Sequence, residues 1–404
     1  MRRLTLTEYQ VLEGVDLTSV ERDRLRTLAP SIAISPTIGR DGSYDLSAGS
    51  WIGAVHLGDL ELVIRPKLPI DKVMFMISYA VGQGRWEESP ARLQESDSLV
   101  EAILPGFTYQ LRRVLARGVL QGYRTEEDVG AALRGRWRVA DQVRRHFGIA
   151  PPLEITFDEY TEDIELNRLL RAAIAKLLRL PVRDPKSGWG LRAIDAKLAD
   201  VALVGFDPHR VPTITYNRLT ERYRPAVELA RLILASTSFD LHRGDIAASA
   251  FLIDMNKVFE DFVVVALRES LGVTDKVLVQ NARHRSVVFD QAGRVALLPD
   301  ITIWSGSVCT FIGDVKYKRV RSESYPNADI YQLAAYTIAA DLPSGMLIYA
   351  AGEDEPAVVD IKHIGKRLEM VALDLSSTPD QVLGQVAALG ARIHAESERQ
   401  AAVA

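Results

Sequence analysis

Residues 254–270 predict a helix that is apolar on nearly every side. The residues that make it so are Val258, Phe259, Phe262, Val263, Val264, Val265 and Leu267. A helix without a wide polar face is buried, so the chain around it has to supply a sheet and further helices that cover it. Strand-like runs follow at 277–281, 285–289, 294–304 and 308–317, then a helix at about 327–340, strands at 345–350, 357–364 and 371–375, and a helix from about 379. This order predicts a compact α/β unit with a mixed sheet.

The periodicity of the earlier sequence divides it into two further parts. Residues 1 to about 90 contain short runs with period-two alternation, which end at Arg65-Pro66-Lys67 and predict a small barrel or curled sheet, followed by a helix at 71–81. From about 97 to 250 apolar residues recur every three or four positions, as in helices. We therefore expect an α+β multidomain protein with a β-rich domain (1–95), a helical middle domain (96–250) and an α/β domain (251–404).

Composition excludes several classes of protein. The 404 residues, 47% of them hydrophobic and 25% charged, can form two or three globular domains. A net charge of −4 argues against a highly basic protein that coats DNA non-specifically. The single cysteine, Cys309, excludes an internal disulfide and a cysteine-based zinc cluster, and its apolar neighbours predict a buried structural thiol. No signal-peptide core or membrane-length apolar run is present, so we expect a cytoplasmic protein without membrane contacts.

The chemistry-bearing residues concentrate around a predicted hairpin. Asp300 precedes one strand, Asp314 and Lys316 lie on the next, and Ser305-Gly306-Ser307 forms the turn between them. Folding about that turn places Asp300 and Asp314 opposite each other or one diagonal step apart, and the spacing of two puts Asp314 and Lys316 on one face. Two carboxylates can hold Mg²⁺ for phosphodiester hydrolysis, with the lysine orienting water or offsetting negative charge. The alternative is an ordinary ion pair on a β-face.

Two further features favour a functional site. Glu260 lies on the otherwise apolar helix, where a carboxylate is costly unless it is paired or metal-bound. Gln332 and Tyr336 are spaced i and i+4, so they share one helix face and could hydrogen-bond a DNA phosphate or base. The alternative for this pair is a helix with two polar surface residues.

These motifs occur in the order that is typical of a known superfamily. A helix with Glu260, then Pro299-Asp300, Asp314-Val315-Lys316 and Gln332-x-x-x-Tyr336, resembles the PD-(D/E)xK nucleases. More narrowly, the chain resembles the McrC family, the nuclease subunits of McrBC-type modification-dependent restriction systems. The segments that carry this resemblance are 255–260, 314–318, Leu133-Arg134-Gly135-Arg136, 163–170 and Ile64-Arg65-Pro66-Lys67.

The resemblance implies a role for each site residue. Asp300, Asp314 and the Val315 carbonyl would bind Mg²⁺, with Glu260 completing the site directly or through water. Lys316 would serve the attacking water, and Gln332 and Tyr336 would support DNA binding. Further basic residues near the site would supply a local DNA-binding surface: Arg283, Arg285, Lys318, Arg319 and Arg321.

The resemblance also implies partners. The family's nuclease works with an McrB-like AAA+ GTPase hexamer, on which residues 1–95 would dock, and with double-stranded, modified DNA. The sequence contains no Gly-x-x-x-x-Gly-Lys-Ser/Thr loop, so the partner and not this chain would use GTP.

One basic segment and two rival functions stay open. Residues 109–148 carry nine arginines, which could form a DNA-backbone track or a partner-facing surface, or could only solubilise helices and form salt bridges. A stand-alone RecB-like repair nuclease or exonuclease would share the same site residues. A non-catalytic scaffold that activates an AAA+ ring would not need them.

Overall fold

The computed structural model describes residues 2–28, 31–80, 99–180, 185–236, 248–281, 285, 287–318, 327–350 and 357–403. The chain folds as two compact units, of which the first is discontinuous in sequence. Unit 1 comprises Met1–Ala102 and Leu241–Ala404, and unit 2 comprises Ile103–Asp240. The parts expected at 1–95 and 251–404 thus belong to one unit, and their division into separate functional domains stays a prediction.

The strands near the N-terminus form two sheets rather than the expected single barrel or curled sheet. The four-stranded sheet has the order β1-β6-β5-β10, and the three-stranded sheet the order β2-β4-β3. Their strands are β1 (Arg2–Thr7), β2 (Val11–Asp16), β3 (Ala33–Pro36), β4 (Ser43–Ser47), β5 (Trp51–Leu57), β6 (Leu60–Arg65) and β10 (Ala248–Asp254). Strand β10 pairs antiparallel with β5, so a segment almost 200 residues downstream completes the N-terminal sheet. Leu6, Leu46, Val55 and Leu252 share its buried core.

The C-terminal part of unit 1 has the mixed sheet that the sequence predicts. Its strand order is β11-β14-β15-β16-β18-β17. The strands are β11 (Leu278–Gln280), β14 (Ile301–Ser305), β15 (Val308–Lys316), β16 (Ser344–Ala350), β17 (Ala357–Ile361) and β18 (Lys366–Leu373), with β12 (Val287–Val288) and β13 (Ala296–Leu297) in a separate pair. Strands β15, β16 and β18 run parallel, whereas β11, β14 and β17 pair antiparallel with their neighbours.

Five helices of unit 1 lie entirely within its described residues. They are α1 (Ser19–Leu28), α2 (Ile70–Ala80), α8 (Met255–Leu271), α9 (Asn327–Ala339) and α10 (Pro379–Val403). Helix α8 is the predicted apolar helix: the Asp254 side chain accepts a hydrogen bond from the backbone N–H of Asn256 at its start, and Gly272 ends it in a left-handed conformation. It packs against α2, α10 and β15, which explains why it needs no polar face.

Unit 2 contains more than the expected helices. A three-stranded sheet of order β7-β9-β8 occupies part of it, with β7 (Gly122–Gly130), β8 (Arg136–Trp137) and β9 (Leu153–Thr161). The helices are α3 (Leu99–Val114), which spans the unit boundary, α4 (Val139–His146), α5 (Glu165–Leu178), α6 (Pro185–Lys197) and α7 (Arg224–Ala235), with 3-10 turns at Leu115–Arg117, Pro208–Arg210 and Glu221–Tyr223. The prediction of a helical middle was therefore wrong for Gly122–Gly130, Arg136–Trp137 and Leu153–Thr161, which form strands.

Two smaller expectations were also tested. Cys309 is a buried free thiol, as predicted, and burial raises its pKa to about 11. Of the helices in the described ranges, none combines the length and the apolar character needed to cross a membrane.

Candidate active site

The hairpin of β14 and β15 brings the two predicted aspartates together. Ile301 pairs with Gly313, so Asp300 and Asp314 are the next facing residues at this end of the hairpin. Gly306 makes the turn with a positive φ of 59°, a conformation that glycine adopts without strain. The hydrogen bond from the backbone N–H of Val315 to Asp300 Oδ2, 2.8 Å long, fixes the first carboxylate against the strand that carries the second.

The Asp300 carboxyl group is buried close to two other acidic side chains. Burial and the negative charges of Asp314 and Glu260 raise the pKa of Asp300 to about 8. Asp314 is deeper, with its side chain only 1% exposed. Within the described residues, Asp314 Oδ2 is a buried oxygen that accepts no hydrogen bond. The two carboxyl groups therefore need positive charge nearby if both are to ionise.

Lys316 supplies part of that charge. Its Nζ forms an ion pair with Asp314 Oδ2. Burial alone would lower the pKa of Lys316, but the charges of Asp314 and Asp300 outweigh it and raise that pKa. Lys316 is thus a cation at neutral pH.

Glu260 reaches the same region from helix α8. Its Oε1 accepts hydrogen bonds from Gln280 Nε2 at 2.6 Å and Asn281 Nδ2 at 2.7 Å, and lies 3.0 Å from Lys257 Nζ. Three donors on one oxygen explain how a carboxylate is tolerated on this helix. Sequence reasoning missed these partners, although the i,i+3 spacing of Lys257 and Glu260 could have indicated the first of them.

The predicted pair Gln332 and Tyr336 is formed, but its two members differ in exposure. Gln332 Nε2 donates to Tyr336 Oη at 2.8 Å, and Tyr336 Oη donates to the Leu298 carbonyl at 3.2 Å. Tyr336 is buried and Gln332 is exposed. Tyr336 therefore anchors the turn that leads into Pro299-Asp300, and Gln332 is the member of the pair that faces solvent.

The predicted basic surface is described only in part. Lys318 Nζ lies 2.7 Å from Asp329 Oδ2, and the same carboxylate accepts a hydrogen bond from Tyr349 Oη at 2.9 Å. Lys318 is thus tied to the start of helix α9 by an aspartate that sequence reasoning missed. Arg285 lies over the Trp304 ring at 5.1 Å. Arg283, Arg319 and Arg321 lie outside the described residues.

Four of the nine arginines in the arginine-rich segment form ion pairs within unit 2. Arg124 pairs with Glu126 and Asp163, and Arg138 contacts Glu127 and Asp141. Arg144 and Arg145 also have acidic partners. These contacts favour the salt-bridge interpretation of the segment over a continuous DNA-backbone track, because paired guanidinium groups are less available to phosphates.

The acidic residues fit Mg²⁺ better than a metal held entirely by protein. The described part of the chain contains no group of three or more His, Cys, Asp or Glu side chains arranged to hold a metal ion. However, Lys316 is the ion-pair partner of the buried Asp314 Oδ2, the Asp300 carboxyl lies close to further negative charge, and a bound cation would offset the remaining charge of the two aspartates. Mg²⁺ is commonly bound by one or two carboxylates and keeps several water ligands, which matches a site of two aspartates.

Fold and site together define a mixed α/β protein with a buried acidic and lysine-containing site at the end of a sheet strand. The chain belongs to the McrBC family, since the model of that family, described as McrBC 5-methylcytosine restriction system component, matches residues 46–350. This confirms the family predicted from the sequence motifs.

Two known proteins show how far the similarity extends. The type IV methyl-directed restriction enzyme EcoKMcrBC of Escherichia coli K12 is 22% identical over 295 residues, which cover 67% of this chain and 81% of that protein. The fold is similar to that of a chain in the half-complex from a tetradecameric assembly of Thermococcus gammatolerans McrB AAA+ hexamers with bound McrC. That match has a TM-score of 0.54 and 16% identity, and covers 96% of this chain and 100% of the other.

Proposed function

We propose that this chain is the Mg²⁺-dependent DNA endonuclease subunit of a GTP-dependent, McrBC-type restriction complex. The observation that carries the proposal is the juxtaposition of Asp300 and Asp314 across the hairpin, with Lys316 paired to Asp314. Two carboxylates and a cation in one small site are the groups that metal-assisted phosphodiester hydrolysis uses. Membership of a restriction-system family makes DNA the fitting substrate.

The arrangement also supports assignment to the PD-(D/E)xK superfamily. The mixed sheet carries the Asp-x-Lys residues at the end of β15, helix α8 presents Glu260, and helix α9 presents Gln332 and Tyr336. These elements occur in the order in which the sequence motifs predict them. We therefore propose that residues 251–404 contain the nuclease domain.

The chain's own residues have distinct tasks in this mechanism. Asp300 and Asp314 would hold Mg²⁺, with the Val315 carbonyl and Glu260 as further or water-mediated ligands. Bound Mg²⁺ would polarise the phosphoryl group and lower the pKa of a water molecule. Lys316, as a fixed ammonium group, would orient the attacking water and offset the negative charge of the transition state. Lys257, Gln280 and Asn281 hold Glu260 in place.

The DNA contacts are proposed to flank this centre. Gln332 is exposed beside Tyr336 and can donate to a phosphate or a base, whereas Tyr336 positions the turn before Asp300. Lys318 and Arg319 follow Tyr317 in the sequence and would place positive charge along the backbone of the bound strand. For Lys318 this requires sharing or leaving Asp329.

The partner is proposed to be an McrB-like AAA+ GTPase hexamer. The Thermococcus structure, by its title, contains McrB AAA+ hexamers with bound McrC, and the fold of the present chain matches one of its chains over nearly its full length. Residues 1–95 are the docking region that the sequence predicts. In unit 2, Trp137, Val143, Phe147 and Ile149 are exposed apolar side chains that contact with the partner could bury.

The decisive experiment is cleavage of 5-methylcytosine-containing plasmid DNA by the chain together with its AAA+ partner, GTP and Mg²⁺. Asp314→Ala and Lys316→Ala should each reduce cleavage by at least about 100-fold while partner binding and GTP hydrolysis persist. Lys362→Ala, which removes an exposed lysine from the turn between β17 and β18, is the matched control and should cleave normally. Full cleavage by both site variants would refute the assignment, and brisk digestion of linear DNA without partner or GTP would favour a stand-alone nuclease.

A further inference from the structure

Tyr317 lies directly after Lys316. Its hydroxyl and its backbone carbonyl are each hydrogen-bonded to one of two consecutive residues from the N-terminal part of unit 1. Its hydroxyl donates to Glu8 Oε1 at 2.9 Å, and its carbonyl accepts a hydrogen bond from Tyr9 Oη at 3.0 Å. These contacts join residues more than 300 positions apart in the chain. Tyr317 itself is buried, with 6% of its surface exposed.

Glu8 is itself fixed by the strand that ends in Arg65-Pro66-Lys67. Its backbone N–H donates to the Arg65 carbonyl at 3.0 Å, and its Oε1 accepts from the backbone N–H of Lys67 at 2.6 Å. Glu8 is completely buried, and Oε2 has no hydrogen-bond partner among the described residues. A buried carboxylate with one unsatisfied oxygen is costly, so packing alone does not account for an acidic residue at this position.

Tyr9 is also held in a fixed position by its backbone and its neighbours. Its φ of 59° is in the left-handed region, which is unfavourable for a residue with a side chain. Its backbone N–H donates to the Gly49 carbonyl at 2.8 Å, and Lys67 Nζ lies over its ring at 4.8 Å. The strained backbone directs the hydroxyl to Tyr317 and, at 3.3 Å, to Asn256 Oδ1 on helix α8.

Tyr317 connects the elements that carry the site residues. The Phe259 ring, adjacent in sequence to Glu260, packs against the Tyr317 ring with centroids 5.9 Å apart. Lys316 is the last residue of β15 and pairs with Tyr349 of β16, whereas pairing with β14 ends at Gly313. Among the described residues, the end of β15 therefore has a strand neighbour on one side only, and the contacts of Tyr317 fix it from beyond the sheet.

We infer that Glu8 and Tyr9 are positioning residues for the active site, which act through Tyr317 to hold Lys316 against Asp314. This inference rests on the proposed nuclease function and extends it: residues 1–95 complete the site in addition to any docking role. Loss of either contact frees the backbone next to Lys316, so its ammonium group no longer stays beside Asp314.

Three variants and one control test this inference in the full chain. Tyr317→Phe removes the hydroxyl that Glu8 accepts, and Glu8→Met removes the acceptor at similar volume. Glu8→Gln keeps an acceptor oxygen for both donors and is the conservative rescue variant. Tyr79→Phe, which removes a hydroxyl bonded to Glu269 elsewhere in unit 1, controls for the loss of a tyrosine hydroxyl as such.

Two readouts separate positioning from stability. In the complete complex, Tyr317→Phe and Glu8→Met should lower kcat by about 10-fold or more with KM for DNA changed less than about 2-fold, and Glu8→Gln should recover most of kcat. Independently of cleavage, acetic anhydride labelling followed by mass spectrometry should modify Lys316 about 3-fold faster in the two disruptive variants, relative to exposed Lys362.

The outcomes distinguish this inference from the proposed function. Unchanged kcat and unchanged Lys316 labelling in folded Tyr317→Phe and Glu8→Met would overturn the positioning role. If either protein does not fold, Tyr9→Phe removes the second contact and is judged by the same two measurements. Should Lys316→Ala cleave normally, the nuclease assignment fails, while the labelling result still decides whether Glu8 and Tyr9 hold Lys316.

Discussion

The Asp300 side chain accepts a hydrogen bond from the backbone N–H of Val315, the residue between Asp314 and Lys316. This one hydrogen bond ties the start of β14 to the end of β15, where the acidic and basic groups of the site meet. The carboxyl group of Asp300 is therefore held beside Asp314 by the main chain, even though their charges repel. Such a site stores unfavourable electrostatic energy that a bound cation would release, and stability measurements can detect it.

Asp300→Asn should stabilise the metal-free protein at alkaline pH. The folded pKa of about 8 lies above the unfolded value of about 3.9, so the folded state keeps a proton that the unfolded state releases. The free energy of unfolding of the wild type therefore falls as pH rises from about 4 to 8. In EDTA at pH 8 the variant should be more stable by at least about 1 kcal/mol, and the difference should vanish near pH 4. Urea unfolding measures both proteins at each pH. A difference in unfolding free energy between the variant and the wild type that stays the same at all pH values would contradict this prediction.

Mg²⁺ should stabilise the wild type and not Asp314→Asn. At about ten times its dissociation constant the ion adds about 1.4 kcal/mol to the free energy of unfolding, and the gain should be larger at pH 8 than at pH 6, because Asp300 must lose its proton. Thermal melts with and without Mg²⁺ measure the shift. Asp360→Asn, at an exposed position of β17, should respond to Mg²⁺ like the wild type. An equal shift in Asp314→Asn would place the ion elsewhere.

Replacing Gln332 should affect DNA binding, whereas replacing Tyr336 should affect stability and the rate of cleavage. Tyr336→Phe removes the hydrogen bond to the Leu298 carbonyl and should cost about 1 kcal/mol of stability and lower kcat, because the turn before Asp300 loses its anchor. Gln332→Ala leaves the core intact and should raise KM for DNA at nearly constant stability. Steady-state cleavage and denaturant unfolding of both variants test this; identical kinetic profiles would argue against separate roles.

Gly53→Ala should disrupt the pairing of β5 with β10. Gly53 has a φ of 136°, and a Cβ atom there would lie 2.0 Å from the Phe251 carbonyl oxygen, so the strands must separate. The expected loss is at least about 3 kcal/mol of unfolding free energy. Gly49→Ala is the control: its φ is 55° but no atom lies within 4 Å of the added Cβ, so only backbone strain of about 1 kcal/mol is expected. Equal losses in chemical denaturation would rule out the steric explanation.

Sequence reasoning was most successful where the relevant contacts are local. The hairpin of Asp300 and Asp314, the i,i+4 pair of Gln332 and Tyr336, and the buried helix at 254–270 all follow from periodicity and short turns. These patterns depend on backbone geometry within about 20 residues, which the sequence displays directly.

The contacts that sequence reasoning missed join distant segments. The pairing of β10 with β5 and the contact between Glu8 and Tyr317 depend on how elements pack. No periodicity records such pairings. The three-stranded sheet of unit 2 was missed for a different reason: four of the nine residues of β7 are charged and few are apolar, so the alternation of apolar and polar residues is weak.

The discontinuity of unit 1 has a consequence for biosynthesis. Strand β5 is complete at Leu57, but its partner β10 begins only at Ala248, after all of unit 2 has been translated. At 5–20 residues per second the ribosome needs roughly 10–40 s to reach that partner. During this interval the edge of β5 lacks its native neighbour, and Glu8 lacks the Tyr317 hydroxyl with which it forms a hydrogen bond. A nascent chain therefore cannot assemble the proposed DNA-cleaving centre before β10, Asp314 and Lys316 have been translated.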